Sequence, residues 1–152
     1  MLFRSQRLHA EINLRDARYD VLGFLNNQPY NFNGSWNWVA GHDLSGQIAH
    51  SASRSASNYS GVQAQVRSIY TSWQDSASLR YQIHPDWFVE TVTSTSRSEQ
   101  SLFSESNLRL TQSEAAVLYL APSGSQAALR WSQRQGDYPN RQAGPEIGRA
   151  HV

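Results

Sequence analysis

Seven charged side chains, Arg7, Glu11, Arg15, Arg80, Glu90, Arg130 and Arg134, stand at polar positions of segments in which polar and apolar residues alternate. Period-two alternation gathers them on one face of extended chain, opposite the greasy residues between them. Arginine carries a rigid fork of donors that grips a carboxylate bidentately, so a surface of such forks suits an acidic ligand or polymer. The competing reading is that these charges pair across strands and hydrate an interior, because enclosed polar groups need partners whatever the function. The assignment hangs on register: a slip of one residue would turn every one of them to the other side.

Other chemistry is thin. His9 and Glu11 share a face at i, i+2, but no third ligand accompanies them, so no metal site is expected. Ser123-Gly124-Ser125 has no strand-turn-helix context and is not a nucleophile elbow. No glycine-rich phosphate loop is present. Asn33-Gly34-Ser35 and Asn58-Tyr59-Ser60 match the glycosylation sequon, which would mean little in a bacterial protein. The chain has no Cys, so it has no disulfide framework or thiol nucleophile. No catalytic residue, metal or cofactor is expected, and a net charge of +1 leaves no footprint for nucleic acid.

The elements that must position the charges are strands. In residues 76–92, Ala77, Leu79, Tyr81 and Ile83 alternate with Ser76, Ser78, Arg80 and Gln82. His84-Pro85-Asp86 then reverses the chain, since Pro cannot donate to a ladder and Asp favours a turn. The same plan recurs at Ala40-Gly41-His42-Asp43 and at Pro122-Ser123-Gly124-Ser125. Alternation predicts strands at residues 6–15, 31–39, 44–53, 70–83, 87–96, 110–121 and 126–134. Residues 114–120 are apolar on both sides, which leaves a helix open there. Longer polar connections are expected near residues 16–30, 54–66 and 97–109. Short turns on one side and long loops on the other are the plan of an outer-membrane barrel, whose strands need about 9–11 residues to cross lipid.

Composition agrees with an interior that is wet. Charged residues make up 16% against about 25% in ordinary soluble domains. There are 22 Ser, and all 13 basic residues are Arg. Trp36, Trp38, Tyr81, Trp87, Tyr119 and Trp131 are candidate membrane-interface aromatics, rings with an apolar body and a polar tip. Tyr19, Tyr30, Tyr59, Tyr70 and Tyr138 lie in or beside the long connections and suggest a second belt. The expected fold is therefore all-β: an antiparallel up-and-down meander of about seven strands, a partial and open transmembrane β-barrel.

Three places carry a family resemblance: residues 19–27 with Phe24-Leu25-Asn26-Asn27, His84-Pro85-Asp86-Trp87, and Gly136-Asp137-Tyr138-Pro139-Asn140-Arg141. With the order and spacing of hairpins across about residues 7–141, they resemble outer-membrane β-barrels encoded with exosortase-linked exopolysaccharide biosynthesis, kin to a wider class of β-barrel porins. Family members have Asp-Tyr after Phe-Leu where this chain has Asn26-Asn27. The resemblance implies a barrel of more strands and a non-enzymatic part in making or exporting exopolysaccharide at the bacterial outer membrane. It implies outer-membrane lipid, a secreted polysaccharide and periplasmic export machinery as partners. It supplies no catalytic residues.

Two alternatives stand beside this reading: a general diffusion porin, expected to have a lumen free of ordered charge clusters, and a soluble β-sandwich or lipocalin-like binder, expected to bury the tryptophan-bearing face. The ends read differently from the middle. Met1-Leu2-Phe3-Arg4-Ser5 and Ile147-Gly148-Arg149-Ala150-His151-Val152 resemble translated frames of a sequencing adapter and its complement. The expectation is a metagenomic fragment, residues 6–146, flanked by adapter-derived ends.

Overall fold

The computed structural model describes residues 3–18, 20, 26–56 and 68–141. They form one antiparallel sheet of seven strands in simple sequence order: β1 (Phe3–Leu14), β2 (Tyr30–Ala40), β3 (Leu44–Ala56), β4 (Ile69–His84), β5 (Trp87–Gln100), β6 (Leu108–Leu120) and β7 (Gln126–Asp137). Each strand pairs with its neighbours in the chain, so the sheet is an open up-and-down meander. Residues 114–120, open to a helical reading in sequence, are strand. β1 takes in Phe3, Arg4 and Ser5 of the adapter-like stretch, and residues 147–152 lie outside the described part.

All three short turns close where the punctuation residues stand. Gly41 adopts φ +67° between β2 and β3, and Gly124 adopts φ +86° between β6 and β7, a left-handed conformation that side chains resist. Pro85 and Asp86 make the β4–β5 turn, where Gln82 Nε2 donates to the Pro85 carbonyl at 3.1 Å. Neighbouring turns are stitched together. The Gln82 amide donates to the Asp43 carbonyl at 2.7 Å, and the Leu120 amide to the Asp86 carbonyl at 2.8 Å.

On the opposite edge the strands run further than alternation alone predicted. β3 continues to Ala56, β5 to Gln100 and β7 to Asp137, and a 3-10 turn at Ser104–Ser106 shortens the β5–β6 connection. These extensions, residues 54–56, 97–100 and 135–137, are made of polar or small side chains that are content in water on both faces. Backbone pairing persists there without any hydrophobic alternation to announce it. Asn107 Oδ1 accepts from the Gln100 amide at 2.8 Å and Ser101 Oγ from the Ile69 amide at 2.9 Å, tying this connection to the sheet.

Among the described residues there is no packed interior of the ordinary kind. Of the described residues only Ala40, Ala52 and Ala116 are buried and apolar, and none of the described elements forms a second layer on either face. A soluble sandwich of this size would bury its large side chains between two sheets. Here Leu8 is 79% exposed, Ile12 61%, Leu129 79% and Trp131 57%.

Candidate functional site

The register divides the sheet into two faces, because directly paired residues in an antiparallel ladder share a side. The first is rich in large apolar side chains; the other is mostly polar but carries Val39, Phe88, Val92, Leu110 and Leu118. One ladder runs Leu8, Trp36, Ile48, Ala77, Thr93, Ser113 across six strands. On the same face lie Ile12, Leu14, Phe32, Trp38, Leu44, Leu79, Tyr81, Val89, Val117, Leu129 and Trp131. The other face carries Asn31, Asn33, Ser35, Asn37, Gln47, Ser51, Ser53, Ser72, Gln74, Ser76, Ser94, Ser96 and their paired neighbours.

We call the opposite, apolar side the convex face and this polar side, for the hollows it carries, the concave face. A hollow of about 710 Å³ there is lined by Arg7, Asn37, Gln47, Ser78, Arg80 and Glu90, among others. A smaller hollow of about 240 Å³ is lined chiefly by His9, Asn33, Ser35, Ser51, Gln74 and Ser76.

Six of the seven charged residues singled out from sequence share the concave face. Arg7 and Glu11 project from β1, Arg80 from β4, Glu90 from β5, and Arg130 and Arg134 from β7. Arg15 lies one residue past the end of β1, where its amide donates to the Pro29 carbonyl at 3.0 Å.

Three of these charges, Arg80, Glu90 and Arg130, stand in opposed pairs. Arg80 Nη1 stands 3.3 Å from Glu90 Oε1, and Arg130 Nη1 stands 3.7 Å from Glu114 Oε2. Gln112 Nε2 donates to Glu114 Oε1 at 2.7 Å, Asn13 Nδ2 donates to Glu11 at 2.9 Å, and the Arg80 guanidinium lies 4.2 Å from the centre of the Phe88 ring. Arg80, Glu90, Ala116 and Arg130 fall on one continuous ladder row, with Glu114 one step away on the same face. The concave face thus has two zones. A belt of compensated charge crosses β4–β7 nearer the short turns, and a field of neutral hydroxyls and amides covers β2–β5 toward the long connections. Within that field Ser53 and Ser72 meet at 2.8 Å.

The six candidate interface aromatics, Trp36, Trp38, Tyr81, Trp87, Tyr119 and Trp131, all lie on the apolar face, in the half nearer the short turns. The Trp87 and Tyr119 rings are 4.9 Å apart, and Trp36 and Trp38 are 6.4 Å apart. Trp38 lies against Gly46, its ladder partner: a Cβ at Gly46 would stand 2.7 Å from Trp38 Cε2. Phe32 covers Gly34 in the same manner, 3.2 Å from where a Cβ would be. The second belt is less uniform. Tyr30 shares the apolar face, Tyr70 lies on the polar face opposite Ser55, Tyr138 follows β7, and Tyr19 and Tyr59 fall outside the described residues.

One feature escaped the reading of the sequence. His50 Nδ1 and Asp75 Oδ1 meet at 2.6 Å between paired positions of β3 and β4, on the apolar face. Its signal was Asp75, a carboxylate at an apolar position of an alternating strand; the register supplies its partner. Farther toward the long connections the same face turns polar, with Arg97 paired to Glu99 and its guanidinium over Trp73 at 5.6 Å. The threonines between are quiet in an apolar setting. Thr91 Oγ1 donates to the Glu114 carbonyl at 3.2 Å and Thr93 Oγ1 to the Gln112 carbonyl at 3.5 Å, so their hydroxyl hydrogens already have acceptors.

Among the described residues no group of three or more His, Asp or Glu is placed to hold a metal ion. Compared with family models, curated proteins and solved structures, the chain matches none. What the sheet does is read from its two faces.

Proposed function

We propose that this chain is part of an outer-membrane β-barrel that serves, without catalysis, in the biosynthesis or export of an exopolysaccharide. The observation that carries the reading is the pairing of an exposed apolar face with a hollowed polar one on a sheet that has no core. In water that apolar face would be a liability far larger than the patches monomers tolerate. In a bilayer it is the required exterior, and the polar face becomes the lining. β1 and β7 run in the same direction, being the first and last of seven antiparallel strands, so antiparallel closure takes an odd number of further strands.

The lining suits a sugar chain. Hydroxyl and amide groups of Ser, Asn and Gln exchange hydrogen bonds with a glycan as readily as with water. Two of the five arginines expected to grip an acidic polymer, Arg80 and Arg130, already face Glu90 and Glu114. The charge-free field favours a neutral or sparsely charged glycan. A general diffusion porin is expected to lack ordered charge, and the paired belt speaks against it. The resemblance to barrels of exosortase-linked exopolysaccharide systems supplies the biological setting, with outer-membrane lipid, the polymer and periplasmic export machinery as partners.

Two measurements test this reading. Refolded with vesicles containing brominated lipid, the chain is expected to show strong quenching of its tryptophans; a monodisperse soluble monomer in plain buffer would sink the membrane assignment. Disruption of the gene in its host is expected to reduce surface polysaccharide, and unchanged polysaccharide would remove the glycan role while leaving the membrane assignment standing.

A further inference from the structure

We infer that lipid meets the convex face along a band that runs oblique to the strands by roughly 40°, entering at residues 8–14 of β1 and leaving at residues 127–131 of β7. This inference rests on the membrane reading above and adds to it a depth for each residue.

A band perpendicular to the strands would keep each ladder row chemically uniform, and the rows are not uniform. One row pairs Ala10, Gly34, His50, Asp75, Thr95, Thr111 and Gln135 in turn, passing from apolar to polar as it crosses from β1 to β7. A second row pairs Gln6, Trp38, Gly46, Leu79, Thr91, Ala115 and Trp131, and passes the other way.

The slope follows from the ladder. Carried across the register onto β4, Leu14, the last apolar residue of β1, falls at Thr71, and Trp131, the last of β7, falls at Leu79. The edge therefore shifts by eight residues over six strand-to-strand steps. At about 3.3 Å per residue and about 4.8 Å per strand, the slope is roughly 40°. Strands of membrane barrels tilt by about 35–45°, so a bilayer edge drawn across such strands has this obliquity.

The same line accounts for the polar residues on the apolar face. It passes close to His50 and through Asp75, setting that pair at the water boundary rather than in the hydrocarbon. Thr95, Arg97, Arg109 and Gln133 lie on its watery side. Tyr30 lies close to it, as suits an aromatic at a membrane interface.

The chain has no Cys, so single-cysteine variants can be spin-labelled without background. Ala10→Cys, Gln135→Cys, Gln6→Cys and Leu129→Cys are made in the full chain, which is then reconstituted in phosphatidylcholine vesicles. Collision with oxygen, which concentrates in lipid, is compared with collision with a water-soluble nickel chelate. Labels at 10 and 129 are expected to favour oxygen, and labels at 135 and 6 to favour nickel. If 10 and 135 share one depth while 129 still meets lipid, the oblique band is wrong and the membrane reading survives. If none of the four meets oxygen preferentially, both fall.

Discussion

Leu79 and Ser78 are neighbours on β4, yet they belong to different worlds. Leu79 lies 38% exposed on the face it shares with Trp38 and Trp131, while Ser78 sits on the face of its ladder partner Gln47. The convex face is held mainly by contact, rings against glycines and aliphatic side chains side by side, with the polar His50–Asp75 and Arg97–Glu99 pairs toward its long-connection end. The concave face is held by donors and acceptors matched across strands. The difference teaches where a substitution should hurt. In a sheet without a buried core, the solvent on each side, more than packing depth, sets the cost of a change.

The sharpest way to break that comparison is to place the same charge on both sides. Leu79→Arg, measured by urea unfolding from lipid vesicles, is expected to cost about 2–4 kcal/mol if that face meets hydrocarbon. Ser78→Arg, one residue away, is expected to cost under about 1 kcal/mol, as surface changes do. Equal costs would show that both faces see the same medium.

Packing on the convex face comes next. Gly46→Ala pushes a methyl into the ring of Trp38 and is expected to cost roughly 1–3 kcal/mol, with a shift in tryptophan emission, because overpacking forces side chains off their rotamers. A smaller effect is expected at the polar boundary of that face. A double-mutant cycle with His50→Ala and Asp75→Ala should return a coupling of about 1 kcal/mol, near the top of the range for exposed pairs. The smallest belongs to the concave belt. Arg80→Ala and Glu90→Ala should couple by about 0.5 kcal/mol and lose most of that at high salt, since both side chains remain partly hydrated. A coupling for Arg80–Glu90 larger than for His50–Asp75 would reverse the ranking of the two faces.

Much of this architecture was written in plain alternation. Leu8, Ala10, Ile12 and Leu14 could share a side only as a strand, and Gly41, Pro85 and Gly124 marked the reversals. The far ends of the strands were not legible, because Ser, Arg and Gln are comfortable in water on both faces and leave no periodic trace. The charged set was legible as a face on which charges could pair across strands, but not which residue meets which. Glu114 was absent from it, since its neighbours at residues 115–118 are apolar on both sides and hide the period. His50 looked like one more polar residue in a Ser-rich stretch until β4 brought Asp75 beside it.

By itself, then, the order of residues determined the strand count, the turns and which residues share a side, because these depend on local geometry with a period of two. Only the assembled sheet decided who faces whom across strands, which charges are neutralised, which side is hollow, and how the apolar band cuts across the ladder. Those properties depend on register between segments distant in the chain, and a period of two within one strand carries no information about its offset from the next.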